Sequence, residues 1–123
     1  MNIVNAGFVL AVPNADATAR WWTDVMGFAR VLEPEGWVFV QRDGCLIRLG
    51  SCPDAIPPRD LGDHQYFGYI EIDAVDRLYD EIGSRGADIL FAPTTQPWDM
   101  REMGVRTPDG HRVMFAQNVS RPN

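Results

Sequence analysis

A chain of 123 residues is most simply one domain, large enough to bury a core and too small for two independent ones. With 46% hydrophobic and 23% charged residues the composition is that of an ordinary globular protein, and no apolar run approaches the roughly 18 residues that mark a membrane span. The 11 basic and 17 acidic residues leave a net charge of −6 with no basic run, which argues against nucleic acid or an anionic membrane as partner and would suit a cationic small molecule.

The N-terminus shows no basic region leading into an apolar core and cleavage site, so the expected location is the cytoplasm. Residues 3–12, rich in β-branched and aromatic side chains and ended by Pro13, read as a strand. Asn14 can cap a helix over residues 15–26, with Asp16 at its positive end and Thr18, Trp21, Trp22 and Val25 on one face. Gly27 stops it. A short strand over residues 28–32 and the acidic turn Glu33-Pro34-Glu35-Gly36 lead to a hairpin, residues 37–42 and 45–49 about Asp43-Gly44. Residues 51–63, punctuated by Pro53, Pro57, Pro58 and Gly62, form a connector. Cys45 and Cys52 are too few for a disulfide scaffold and lack CxxC spacing, so both are expected as free thiols.

Beyond the connector the pattern repeats. Residues 66–72 read as a strand, and Asp73 as the cap of a helix over residues 74–84 with an apolar stripe of Val75, Leu78, Tyr79 and Ile82 and a stop at Gly86. A short strand over residues 87–91 and a loop over residues 92–97 precede the closing hairpin, residues 101–106 and 112–117. Its turn is Thr107-Pro108-Asp109-Gly110, where proline presets φ and glycine supplies the freedom to reverse. Each half, about 3–50 and 64–118, is thus strand, helix and three strands. Neither could cover both faces of so small a sheet alone, so the two are expected to pack together as a single domain over residues 1–123.

A duplicated βαβββ unit, with strand-Pro13-Asn14-x-Asp16 before a helix ending in Met26-Gly27-Phe28 and a final Pro108-Asp109-Gly110 hairpin, resembles the vicinal oxygen chelate superfamily of glyoxalases, extradiol dioxygenases and bleomycin-resistance proteins. The resemblance implies an α+β fold in which two tandem βαβββ modules form a cupped mixed sheet with helices on its outer face. In metal-dependent members the first and last strands of each module supply histidine or glutamate ligands. Carried over by spacing, those positions are Gly7, Arg48, Phe67 and Met114, none of which offers an imidazole or carboxylate, and a cation at Arg48 would oppose a metal. No metal, cofactor or catalytic residue is therefore expected, and His64 and His111 read as exposed loop residues.

Within the superfamily, Gly36-Trp37 with Gln41-Arg42 and the closing Gln117-Asn118 resemble the bleomycin-resistance proteins, which are similar in lacking the metal ligands. That likeness implies a homodimer whose interface grooves sequester a bulky aromatic compound able to carry positive charge, with Trp37 as a stacking residue and Glu33 and Glu35 as acidic neighbours. Trp98 is a second groove aromatic by the same likeness. For both tryptophans ligand contact and structural packing stand as alternatives. Phe67, Tyr69 and Met114 would line the cup or simply fill it. Arg48 and Arg112 also point there, balanced either by Glu71 or by an anionic ligand group. Arg101-Glu102 reads as a solvated pair. The alternative is a metal-dependent glyoxalase or dioxygenase with displaced ligands at Glu71 and Glu102.

Overall fold

Strand alternation and helical periodicity are realised twice along the chain. In the computed structural model, which describes residues 1–62 and 64–120, the first series is β1 (Phe8–Val12), α1 (Ala15–Asp24), β2 (Ala29–Leu32), β3 (Trp37–Arg42) and β4 (Cys45–Ser51). The second is β5 (Tyr66–Glu71), α2 (Val75–Ser84), β6 (Asp88–Thr95), β7 (Met100–Arg106) and β8 (Arg112–Asn118). Asp63, the last residue of the expected connector, and residues 121–123 of the expected domain lie outside the described residues. The fold is α+β, two βαβββ modules in tandem, and contacts divide it into the units Met1–Pro57 and Pro58–Asn123. The latter half of the connector, with a short 3-10 helix at Pro58–Leu61, goes with the second unit.

In the first unit the strand order is β1-β4-β3-β2, with β1 parallel to β4 and the other pairs antiparallel. Alternation sends Leu10, Val12, Val38, Val40, Ile47 and Leu49 to one face, where they are buried with Ala15, Ala19, Trp22 and Met26 of α1 and its exit turn. Trp22 meets Phe28 edge-on at 4.9 Å and Trp21 at 5.1 Å. The strand expected from residue 3 begins only at Phe8. Propensity alone makes no strand, and the parallel ladder on β4 starts at Ile47, opposite Phe8. The helix expected to residue 26 ends at Asp24, and Gly27 takes φ 72°. In the first hairpin Asp43 rather than Gly44 adopts left-handed backbone, φ 49°.

The second unit repeats the order as β5-β8-β7-β6, again mixed. Val75 and Ile82 of α2 are buried together with Met103, Val105, Val113 and Phe115 of the sheet. The edge strand β6 is longer than expected and takes in Ala92 to Thr95, which sequence reads as loop. It accommodates Pro93 because an edge strand can lack a donor, and register shifts flank Phe91.

Both helices are capped from the last strand of their own unit. Asn14 accepts the Ala17 N–H at 3.1 Å, and the hydroxyl of Ser51 at the end of β4 accepts the Ala15 N–H at 2.9 Å. The cap expected at Asp73 is not formed. Ala74 holds the N-cap position without a side-chain bond, and the Val75 N–H donates to Gln117 Oε1 on β8 at 3.0 Å. Arg101 of β7 then grips Asp76 with two bonds of 2.9 and 3.0 Å. Replacing either acceptor, Gln117→Ala or Ser51→Ala, is expected to cost about 1 kcal/mol, the usual worth of a cap. Denaturant unfolding measures it, and unchanged midpoints in both variants would contradict the capping role.

Candidate functional site

Each helix occupies one face of its sheet, so the chemistry of interest is on the other. In the first unit the register groups Val9, Arg48 and Phe39 across three strands, and Ala11, Gly50 and Trp37 beside them. Trp37 is 38% exposed and lies over Gly50, where a Cβ would stand 2.9 Å from the ring. It meets Phe39 edge-on, 6.2 Å between centroids, and the Arg48 guanidinium lies over the other ring at 5.1 Å.

The acidic turn before β3 is divided. Glu33 is paired with Arg30 at 2.9 Å, and Arg30 also holds Asp16 at 2.8 Å. The guanidinium of Arg20, followed by that of Arg30, keeps the Asp16 carboxyl below the usual carboxylate range. Glu35 stands exposed in a turn closed by the Trp37 N–H on the Pro34 carbonyl, 2.8 Å, with Gly36 at φ 79°. It has no ion pair among the described residues, so of the two turn acids Glu35 is the unengaged one.

In the second unit Tyr69, Met114 and Gly104 share one rung of the face away from α2, and Glu71, Ala116 and Glu102 the next. Glu102 is only 6% exposed. Its Oε2 accepts the Tyr69 hydroxyl at 2.6 Å and the Trp98 indole N–H at 3.2 Å. Burial first, then the hydrogen bond to Glu102 and the charges of Glu102 and Glu71, push the Tyr69 phenol up to about 12. Trp98 is 63% exposed, anchored by its N–H with its ring face free. The loop placing it is closed by the Gln96 N–H on the Met100 carbonyl at 2.8 Å and carries Asp99 at φ 63°.

Arg101 and Glu102 are therefore not the solvated pair expected. Adjacent strand residues point to opposite faces, so Arg101 turns to α2 while Glu102 is buried beneath two aromatic rings. Alternation along β7 was the available signal. Within the second unit Glu71 is likewise not the counter-ion of Arg112, being exposed and without an ion pair among the described residues. Buried Arg112 instead donates to the Gly62 carbonyl. Phe67 sits at a register shift between Tyr66 and Gly68 that interrupts alternation, and its ring meets His111 edge-on at 6.0 Å. His111 is part-buried, not the exposed loop residue expected. Desolvation lowers its pKa against the pull of Asp109, and its Nδ1 is buried with no hydrogen-bond partner. His64 is exposed.

The residues present do not fit a divalent metal. Among the described residues no three histidine, cysteine, aspartate or glutamate side chains cluster. Of the four positions the resemblance assigns to ligands, Gly7 has no side chain and Arg48 is a cation. Glu71 and Glu102 flank Ala116, but Glu102 already accepts two protein donors through one oxygen.

The tandem modules, each with one helix-covered and one aromatic-bearing face, define a protein of the vicinal oxygen chelate fold. A family model described as the Glyoxalase/Bleomycin resistance protein/Dioxygenase superfamily matches residues 6–115, and the chain belongs to that superfamily. Among solved structures it is similar to a bleomycin-binding protein complexed with bleomycin, at 23% identity over 94% of this chain and 99% of that one, TM-score 0.78. It is also similar to a bleomycin resistance determinant encoded on the transposon Tn5, at 22% identity over 94% and 98% of the two chains, TM-score 0.77. A third is TioX from Micromonospora sp. ML1, at 22% over 93% and 99%, TM-score 0.72. At these identities the likeness is one of fold. No match was found among curated proteins. Among the described residues no helix is long and apolar enough to cross a membrane.

Tyr69 stays protonated in the fold beyond the ordinary phenol value of 10.0, until about 12. Its contribution to stability is present below pH 10 and is lost as pH rises through about 12. In an absorbance titration of tyrosinate, Tyr69→Phe should remove the step near pH 12 and Glu102→Gln should shift it down; a late step that persists in Tyr69→Phe would assign it elsewhere.

Proposed function

We propose that this chain is a metal-free binding protein of the bleomycin-resistance type, which sequesters a bulky aromatic, positively charged compound without altering it. The observation that carries the reading is the Tyr69–Glu102–Trp98 cluster. An exposed indole ring held in place by its own N–H is a stacking platform that loses little side-chain freedom on binding. The buried Glu102 carboxylate beneath it, and exposed Glu71 on the same face, supply negative potential for a cationic group. Trp37, held over Gly50 and against Phe39, is a second platform. Tyr69 and Met114, side by side on the β5–β8 pair, add adaptable apolar surface, with Phe67 and Arg112 nearby on the same strands.

Sequestration needs affinity and no reacting group, which agrees with ligand positions that offer no imidazole or carboxylate. In this reading the protein works as a cytoplasmic homodimer whose interface grooves hold the compound, giving resistance by stoichiometric capture. Two free thiols suit a reducing compartment, and structural relatives that bind bleomycin or confer resistance to it support the ligand class.

Titration with bleomycin, followed by tryptophan fluorescence, tests the proposal. Saturable quenching is expected in the native protein, with the dissociation constant raised about tenfold, or 1.4 kcal/mol, in Trp98→Ala or Trp37→Ala. Absence of quenching, or superimposable isotherms for all three proteins, would sink it. Sedimentation at the titration concentration should give a dimer.

A further inference from the structure

Arginines in this acidic protein are matched with oxygen almost throughout. Arg30 binds Asp16 and Glu33, Arg42 the Met26 carbonyl, Arg101 Asp76, and Arg112 the Gly62 carbonyl. Arg106 lies 4.0 Å from Asp88, with its Nε buried and not hydrogen-bonded. Among the described residues Arg48 is the part-buried arginine with neither an ion pair nor a hydrogen bond to oxygen. Its guanidinium lies over Phe39 at 5.1 Å instead. An aromatic ring offers the cation π density but no lone pair, so the five N–H donors of the guanidinium have no oxygen acceptor among the described residues.

The surroundings are built to leave those donors open. The register places Val9, Ala11, Trp37, Phe39, Gln41, Leu46 and Gly50 on the same face of the first sheet as Arg48, and none of them is acidic. Arg48 is the one formal charge these residues present. At Gly7 a Cβ would stand 3.3 Å from Arg48 Nη1, so glycine there lets the guanidinium lie close to β1 without a side chain crowding it. Two residues along β4, Gly50 lets Trp37 lie flat against the sheet, and Val9 beside Arg48 is 63% exposed. Here a cation with spare in-plane donors adjoins two aromatic rings.

We infer that this face of the first unit binds a planar aromatic carboxylate. The ring lies against Trp37 and Phe39, and the carboxylate takes two parallel N–H bonds from Arg48, the bidentate geometry that distinguishes arginine from a point charge. The inference goes beyond the cationic-ligand reading; the two share the Trp37 platform, but this one turns on Arg48 whereas the other turns on Glu102. The net charge of −6 disfavours any anion at long range, so a preference for one must arise locally.

The test uses tryptophan fluorescence at one low ionic strength with three probes sharing a ring system: naphthoate, the neutral naphthamide and naphthylmethylammonium. The native protein should bind naphthoate about tenfold more tightly than naphthamide. In Arg48→Gln that preference should vanish while naphthamide affinity stays within about twofold. Equal binding of the two probes by the native protein, or an undiminished preference in Arg48→Gln, overturns the inference. Should Arg48→Gln not fold, Arg48→Lys keeps the charge and loses the planar fork. A preference cut by at least about threefold then supports the site, and an undiminished one overturns it. Naphthylmethylammonium reports separately on Glu102. Its binding, weakened in Glu102→Gln and unaffected in Arg48→Gln, shows the cationic reading standing or falling independently of Arg48.

Discussion

The first backbone N–H of each helix is satisfied by a side chain from the last strand of the same unit, and the layout of each unit follows from that bond. Ser51 reaches Ala15, and Gln117 reaches Val75. A helix start buried without a partner would carry an unmet donor, so this contact fixes where the helix begins and which face of the sheet it covers. Once that face is committed to the apolar residues of β1, β3 and β4, or of β7 and β8, the opposite rows of the same strands are left to carry rings and charges. Core and candidate site are then alternate residues of the same strands.

The two remaining faces carry opposite charge in similar settings. One offers Arg48 among Trp37 and Phe39, the other Glu102 and Glu71 among Tyr69 and Trp98. In each an aromatic ring and an ionised group are in contact through the protein's own bonds. The difference lies in satisfaction. Glu102 already accepts two hydrogen bonds through one oxygen and is nearly enclosed, whereas Arg48 lies over a ring and has no oxygen partner among the described residues. A buried carboxylate with two donors holds rings in place, while a guanidinium with uncommitted edges can accept something new.

Much of this was legible in the chain. The two Asp-Gly hairpins, the Asn14 cap and the glycine stops at Gly27 and Gly86 are local signals, and local signals are decided by neighbours in sequence. What escaped depended on distant partners. Asp73 has the right chemistry for a cap but was displaced by Gln117, 42 residues beyond the Val75 N–H it accepts. Residues 3–7 have strand composition but make no ladder, which on β4 begins only with Phe8 opposite Ile47. Residues 92–95 read as loop because of Pro93, yet an edge position tolerates it. At the candidate site the residue types were visible and their engagement was not. Glu33 is tied to Arg30, Phe67 is displaced from strict alternation by a register shift, and Glu102 is buried through an alternation that reading Arg101-Glu102 as a pair overlooks.

Each unit seats one aromatic ring across a strand pair on a glycine. Trp37 lies over Gly50, and Phe91 over Gly104, where a Cβ would come within 2.5 Å of the ring. The position of these rings is thus set by the absence of an atom. A glycine codon is one nucleotide change from alanine, valine or a charged residue, and any of these would lift the ring from its seat while leaving the strand ladder intact. Gly50 and Gly104 are therefore points at which the shape of the face away from the helix can diverge between relatives in a single evolutionary step, without the cost of refolding the sheet.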